Sequence, residues 1–301
     1  MTPSDSWTSG DAYQRFMGRW SPFLANLFVP WLGVPAGREW LDVGCGTGAL
    51  TRTILALASP ARVLGVDPSE TFVEFSRQNV SDPRAGADSG GSQSRVASEP
   101  HLRAKQSPSL NGEDSNLKDA PLIEFRVGSA QALPTPDAAF DAIACGLVLN
   151  FVPDPAAALI EMKRALRPGG MVGAYVWDYS DGMRMLRIFF DAAIALDPVA
   201  RERDEGERFP IARREALAQL FNAAGLQGVE TRALEFTMQF ADFDDYWEPF
   251  HGVVGPAPGY LASLSPEKQR ELEAEVRKRL PINADGSFEL AARAWAVKGT
   301  K

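Results

Sequence analysis

Eight residues, Leu41-Asp42-Val43-Gly44-Cys45-Gly46-Thr47-Gly48, constrain this chain more than any other stretch. Glu39 to Val43 reads as a short buried strand. Glycines then occupy every second position, and apolar Leu50, Ile54 and Leu57 follow at helical spacing. Glycine accepts positive φ and has no Cβ, so a strand that turns through glycines into a helix lets a ligand lie against the backbone. The first helical N–H groups point at that ligand. Arg62 to Val66 is the next strand, and it closes on a second acid, Asp67.

Strand and helix alternate from 39 to 177, the pattern of a parallel, doubly wound sheet. Pro68-Ser69 opens a helix that runs through Phe72, Val73 and Ser76 to Asn79. From about 81 to 120, Ser, Gly, Pro, Asn and charge replace apolar periodicity, which reads as a flexible insertion. Leu122 to Val127 and Phe140 to Cys145 are the third and fourth strands. Asp154-Pro155 starts a helix with Leu159, Met162 and Leu166 on one face; Arg167-Pro168-Gly169-Gly170 stops it, and Met171 to Trp177 is the fifth strand.

The flanks are helical. Tyr13, Phe16, Met17 and Trp20 share one face of a helix from Ser9, and Ser21-Pro22 reads as an N-cap with proline at the first helical position. Met183 to Leu196 is amphipathic, Arg201 to Arg208 reads as an exposed charged run, and Ala212 to Ala224 is a helix closed by Gly225. Val229 to Phe236 is a sixth strand. An aromatic, acidic stretch from Phe243 to His251, a Gly/Pro loop and a helix from Ser265 to Leu280 separate it from a last strand, Phe288 to Val297.

Composition excludes several classes. With 45% hydrophobic and 23% charged residues in 301, the chain is an ordinary globular one. A net charge of −8 offers no electrostatic footprint for nucleic acid. No apolar run approaches the ~18 residues of a membrane span, and the N-terminus lacks the basic and apolar regions of a signal peptide. Two cysteines, Cys45 and Cys145, form no disulfide framework, and two histidines are too few for a metal cluster. The expectation is a cytoplasmic protein with no metal, nucleic-acid or membrane partner; the oligomeric state is not readable.

Two ligand classes fit the glycine loop. Gly44-x-Gly46-x-x-Ala49 with Asp67 about 20 residues on suits a dinucleotide, the acid holding a ribose hydroxyl. The other is S-adenosylmethionine, which has a ribose and no pyrophosphate. Asp42-x-Gly44-x-Gly46-x-Gly48 resembles motif I of the class I S-adenosylmethionine-dependent methyltransferases, and further segments extend the likeness. Gly128-Ser129-Ala130-Gln131 resembles the family's segment after strand 3, with Ser129 where Asp is usual. Gly146 to Asp154 matches the post-strand-4 segment of the ubiquinone/menaquinone-type small-molecule subgroup, and Leu166-Arg167-Pro168-Gly169-Gly170 resembles the motif III turn. Tyr13-x-x-x-Met17-Gly18-Arg19-Trp20-Ser21 is similar to an N-terminal segment that folds over the cofactor in a bacterial subgroup.

That resemblance implies a Rossmann-like α/β fold: a seven-stranded sheet with strands 1–5 parallel and strand 7 antiparallel, helices on both faces, and a small helical lid. It divides the chain into a lid at 1–36, a core at 37–241, a helical substrate excursion at 242–284 and a last core strand at 285–301. It implies S-adenosyl-L-methionine as cofactor, held by Tyr13 and Arg19, by Asp42, Gly44, Cys45, Gly46 and Gly48, by Asp67, Pro68 and Ser69, by Ser129, Ala130 and Gln131, and by Cys145, Gly146 and Leu147. The reaction would be methyl transfer to an O, C or S nucleophile of a small molecule. With the cofactor on strands 1, 2 and 4, the acceptor cleft falls to Asn150, Phe151, Trp177, Tyr179, Tyr246 and Trp247. His251 and Asp178 are the candidate proton acceptors. The competing readings are a non-catalytic cofactor-binding or scaffold protein and an NAD(P)-dependent oxidoreductase; a dehydrogenase has no use for Asp42 or the Leu-Arg-Pro-Gly-Gly turn.

Overall fold

Trp40, Leu41, Asp42 and Val43 are all buried in β1 (Glu39–Val43), because this strand has neighbours on both edges and cover on both faces. The computed structural model describes residues 14–80, 121–252 and 255–301. In it β1 pairs in parallel with β2 (Arg62–Asp67) on one side and β4 (Phe140–Gly146) on the other. β3 (Leu122–Val127) extends the first side, and β5 (Leu166–Trp177) the second. β6 (Gln227–Phe240) and β7 (Phe288–Thr300) complete a seven-stranded sheet of order β3-β2-β1-β4-β5-β7-β6. β7 runs antiparallel between β5 and β6, the Rossmann-like arrangement expected from the sequence. Strand order reverses between β1 and β4, which puts helices on both faces and opens a crevice at the strands' C-terminal ends.

Helices α1 (Ser21–Leu32), α2 (Ala49–Ala58), α3 (Glu70–Asn79), α4 (Pro155–Ala165) and α5 (Arg184–Leu196) sit near their expected positions. Local chemistry sets their starts: Ser69 Oγ accepts from Phe72 N, and Asp154 Oδ1 accepts from Ala157 N. A short α6 (Glu205–Arg208) and α7 (Arg214–Ala223) follow. Beyond β6 come α8 (Phe243–Trp247), a 3₁₀ turn (Glu248–His251), α9 (Pro256–Ser263) and α10 (Pro266–Arg279). Among the described residues no helix is long and apolar enough to cross a membrane.

Four sequence expectations need correction. Trp20, not Ser21, is the N-cap of α1, and Ser21 Oγ instead donates to Met17 O at 3.4 Å. Pro168-Gly169-Gly170 does not stand outside the fifth strand; α4 already ends at Ala165 and the turn is a bulge inside β5, between the pairs Phe140–Leu166 and Ala142–Met171. β6 and β7 are longer than their alternation suggested, because each completes the other's backbone hydrogen bonds from Phe240–Phe288 to Gln227–Thr300. The charged run 201–208 is not all exposed: Asp204 and Glu205 are 3% and 4% exposed. Of the N-terminal helix, Gln14–Gly18 forms a single π-helical turn; Tyr13 and the 81–120 insertion lie outside the described residues.

Candidate functional site

A cavity of about 550 Å³ occupies the crevice, a size typical of small-molecule sites. Every parallel strand from β1 to β5 contributes to it through its C-terminal end or the segment beyond. Gly44, Cys45, Gly46 and Thr47 come from the glycine loop, and Asp67, Pro68 and Ser69 follow β2. Ser129, Ala130 and Gln131 follow β3; Gly146, Leu147 and Phe151 follow β4; Trp177 and Tyr179 close β5. Most of the residues proposed from sequence are thus brought together. Phe16, Met17 and Ser21 also line the cavity.

The glycine loop is shaped by its backbone. Gly44 and Gly46 have φ of +75° and +52°, conformations that a side chain resists. Gly44 N and Cys45 N both donate to Val66 O, at 2.7 and 3.1 Å, which ties the loop to the end of β2. Asp67 finishes the tie: its Oδ2 accepts from Gly46 N at 3.0 Å and its Oδ1 from Ser69 N at 2.9 Å. Each oxygen keeps a further lone-pair direction for a ligand hydroxyl. Burial raises this carboxyl above its ordinary value against the lowering effect of those two N–H groups. Leu147 also lies in the left-handed region, φ +61°, unusual for a bulky residue and placed on the cavity wall.

Several sequence candidates stand elsewhere. Asp42 is fully buried beneath the loop, where Thr51 Oγ1 donates to its Oδ2 at 2.6 Å; it does not line the cavity, and its Oδ1 has no partner. Gly48 is the left-handed N-cap of α2 and packs on Ser76 and Val80 of the neighbouring helix, so its smallness serves packing. Cys145 is wholly buried in β4 while Cys45 reaches the wall; burial, helped by the Asp42 charge, pushes both thiols up and makes them poor nucleophiles. Arg19 turns outward to Asp245, Nη1 donating to Oδ1 at 2.6 Å. Asn150 is buried beside the cavity without lining it, and neither amide atom is hydrogen-bonded.

The candidate proton acceptors are also displaced. Asp178 is 2% exposed and its carboxylate is filled: Ser180 Oγ donates at 2.8 Å and Arg293 Nη2 lies at 2.6 Å. His251 is exposed, edge-on to Trp247 at 5.9 Å. Tyr246 Oη donates to Met185 O at 2.9 Å, and Trp247 and Phe250 pack on Phe189 of α5. The excursion therefore docks on α5 and on Phe240 and Phe288. Burial of each aromatic ring there contributes about 1.5–3 kcal/mol.

Sequence reasoning missed Glu205. It lines the cavity, its Oε2 is buried without a hydrogen-bond partner, and burial pushes its carboxyl up to about 8. Two signals pointed to it: Gly206, a glycine within a charged run, and Arg187, a cation on the apolar face of α5 that needs a buried acid. Asp42 is raised likewise, to about 7, by burial and then by the Asp67 charge. In both cases the folded state holds a proton that the unfolded chain releases near pH 4. Their contribution to stability is full below that pH and is lost as pH rises through about 7 and 8. For Asp42 this amounts to about 4 kcal/mol. Between pH 6 and pH 9 about 1.4 kcal/mol of the Asp42 share remains to be lost, so Asp42→Asn is expected to reduce the fall in urea unfolding by that amount and to leave the share of Glu205; an unchanged slope in the variant would refute the assignment.

Comparison with known proteins gives a consistent picture. A family model described as "Methyltransferase domain" matches residues 13–231. The demethylmenaquinone methyltransferase of Symbiobacterium thermophilum is 32% identical over 163 residues, 53% of this chain and 51% of that protein. The chain spans between 31% and 51% of the first three curated relatives it matches. Among solved structures, the YcgJ protein of Bacillus subtilis superposes with a TM-score of 0.52 at 16% identity, covering 92% of this chain and 97% of that one. The Haemonchus contortus phosphoethanolamine N-methyltransferase 2 in complex with S-adenosyl-L-methionine gives 0.53 at 16%, covering 98% and 57%. At such identities the structures speak for the fold.

Proposed function

This chain belongs to the methyltransferase-domain family, and from that premise we propose that it transfers the methyl group of S-adenosyl-L-methionine to an oxygen, carbon or sulfur nucleophile of a small molecule. The observation that carries the reading is the Asp67 carboxylate at the end of β2, bonded to the glycine loop across one cavity fed by five parallel strands. A ribose diol suits that carboxylate, and the Cβ-free backbone of Gly46 leaves room for the rest of the nucleoside and its methionine arm. Ala130, Gln131, Gly146 and Leu147 line the same end, and Phe72 and Pro68 add apolar cover. The family match favours this cofactor over a dinucleotide.

The bound cofactor supplies a sulfonium-activated methyl group. The protein's task is then to hold a nucleophile in line with it and to keep water out, and such positioning is worth up to roughly 7–11 kcal/mol. Phe151, Trp177, Tyr179 and Leu186 form a largely aromatic wall beyond the cofactor end, and this supports a small apolar acceptor. A net charge of −8 does not favour a nucleic-acid chain as acceptor.

Two measurements test the reading. S-adenosylhomocysteine is expected to raise the melting temperature where NAD does not, since a ligand that binds only the native state stabilises it by mass action. Asp67→Ala is expected to weaken S-adenosylhomocysteine binding by about 1.5–3 kcal/mol in calorimetry, the range for a hydrogen bond to a charged group. Unchanged affinity in that variant would remove Asp67 from the cofactor site.

A further inference from the structure

Glu205 is the one acid that lines the acceptor half of the cavity among the described residues, and nothing in the mechanism above uses it. Its place is built. Arg187 Nη1 and Nη2 donate to Asp204 Oδ1 and Oδ2 at 2.6 and 2.8 Å, and Arg187 Nη1 also reaches Tyr179 O. Gly206 N donates to Asp204 Oδ1 at 2.9 Å, and a Cβ at Gly206 would stand 2.9 Å from Tyr179 O and Arg187 Nη1. Asp204 and Gly206 are thus clamped on either side of Glu205. The clamp consumes Arg187, whose remaining contact is Asp191, and leaves Glu205 Oε2 buried without a partner. A buried carboxyl oxygen with no donor is costly, which makes its retention at a cavity wall informative.

We propose that Glu205 is the acceptor-side base of this methyltransferase and that the acceptor is a ring hydroxyl, a phenol or enol, on an apolar body. The proposal rests on the methyltransferase reading and deepens it. The acceptor O–H donates to the Glu205 carboxylate. As the oxygen bonds to the methyl carbon, the S–CH₃ bond breaks with its electron pair staying on sulfur, and the hydroxyl proton passes to Glu205. Products are the methyl ether, S-adenosylhomocysteine and a protonated carboxyl that returns its proton to solvent.

Acidity supports a ring hydroxyl. A carboxyl raised to about 8 lies close to a phenol of pKa about 10, so a shared proton moves readily as the oxygen reacts. A thiol of pKa about 8.5 needs little help, and an ordinary alcohol is far too weak an acid. A protonated amine would put a second cation beside the sulfonium in an apolar chamber, and would have to lose its proton before attacking. The charges that act on Glu205 are those of Asp204, Arg208 and Arg187, with Asp191 beyond Arg187. Tyr175 and Tyr179 are the titratable side chains on the same wall.

The test uses the full chain saturated with S-adenosylhomocysteine, with 4-methylphenol, 4-methylbenzylamine and 4-methylanisole as probes in calorimetry. Wild type is expected to bind 4-methylphenol at least tenfold more tightly than the other two, with affinity rising as pH passes about 8. Glu205→Gln, which keeps the shape, is expected to lose that rise while S-adenosylhomocysteine binding stays as in wild type and the melting temperature does not fall. With S-adenosylmethionine and 4-methylphenol, turnover is expected to fall about 10²–10⁴-fold in Glu205→Gln. An unaltered pH profile and rate in that variant would overturn the base; preference for the amine, or no binding of the phenol, would overturn the acceptor class. Failure of wild type to bind S-adenosylhomocysteine would instead sink the methyltransferase reading itself.

Discussion

Arg187→Met is expected to lower the unfolding free energy by about 3–5 kcal/mol, the cost of leaving a buried acid without its partner. Arg187 is 7% exposed and Asp204 3%, and two hydrogen bonds of 2.6 and 2.8 Å join them in a forked geometry. The pair bridges α5 to the segment that opens α6. Methionine matches the guanidinium stem in length, so the loss reports charge rather than volume. Pairing the change with Asp204→Asn, which keeps an acceptor for Gly206 N, is expected to recover part of it. Urea denaturation of the two single variants and the double completes the cycle. A loss below about 1 kcal/mol in Arg187→Met, the level of an exposed ion pair, would show that water reaches this bridge.

Gly44→Ala and Gly46→Ala are expected to fail differently. A Cβ at Gly44 would lie 2.5 Å from Val148 Cγ2 and 2.9 Å from Val148 Cβ, with φ already at +75°. The left-handed backbone costs about 1–2 kcal/mol and the overpacking about 1–3 more. Its main effect should be on stability, with the β1 loop and the post-β4 segment pushed apart. At Gly46 the nearest atom is Gly44 O at 4.0 Å, so the fold loses only the backbone term. There the added methyl stands where the cofactor would lie, and S-adenosylhomocysteine affinity is expected to drop at least tenfold (about 1.4 kcal/mol). Thermal unfolding and calorimetry on both variants separate the outcomes. Unchanged S-adenosylhomocysteine affinity in Gly46→Ala would take the cofactor away from Gly46.

How much was legible followed the range of the interactions. The strand–glycine–helix unit is local: alternation, positive-φ glycines and a terminal acid declare themselves within thirty residues, and the cavity's cofactor end assembles from such units. Asp42 and Gly48 belong to the same motif yet face away from the cavity, because which side of a strand or loop faces the ligand depends on what packs opposite. The aromatic cluster Tyr246, Trp247 and Phe250 has the composition of a binding wall, but α5 offers Phe189 and the Met185 carbonyl as partners and the rings pack there instead. Asp178 carried a plausible role until Arg293, 115 residues away, supplied its counter-charge.

The antiparallel last strand and the cofactor followed from the family resemblance; what the sequence determined by itself was the strands and helices of the parallel core and the glycine turn after β1, with Asp67 at the end of β2. These depend on hydrophobic period, turn residues and backbone geometry, all written within short windows. The tertiary structure alone decided which charged groups are buried and which of those are left without partners. Asp178 and Asp204 meet arginines and become structural, whereas Glu205, one residue from Asp204 in a run that looked solvated, is left facing the cavity. The reason is physical: a carboxyl's role is set by desolvation and by the charges within a few ångströms, and those come from elements distant in the chain.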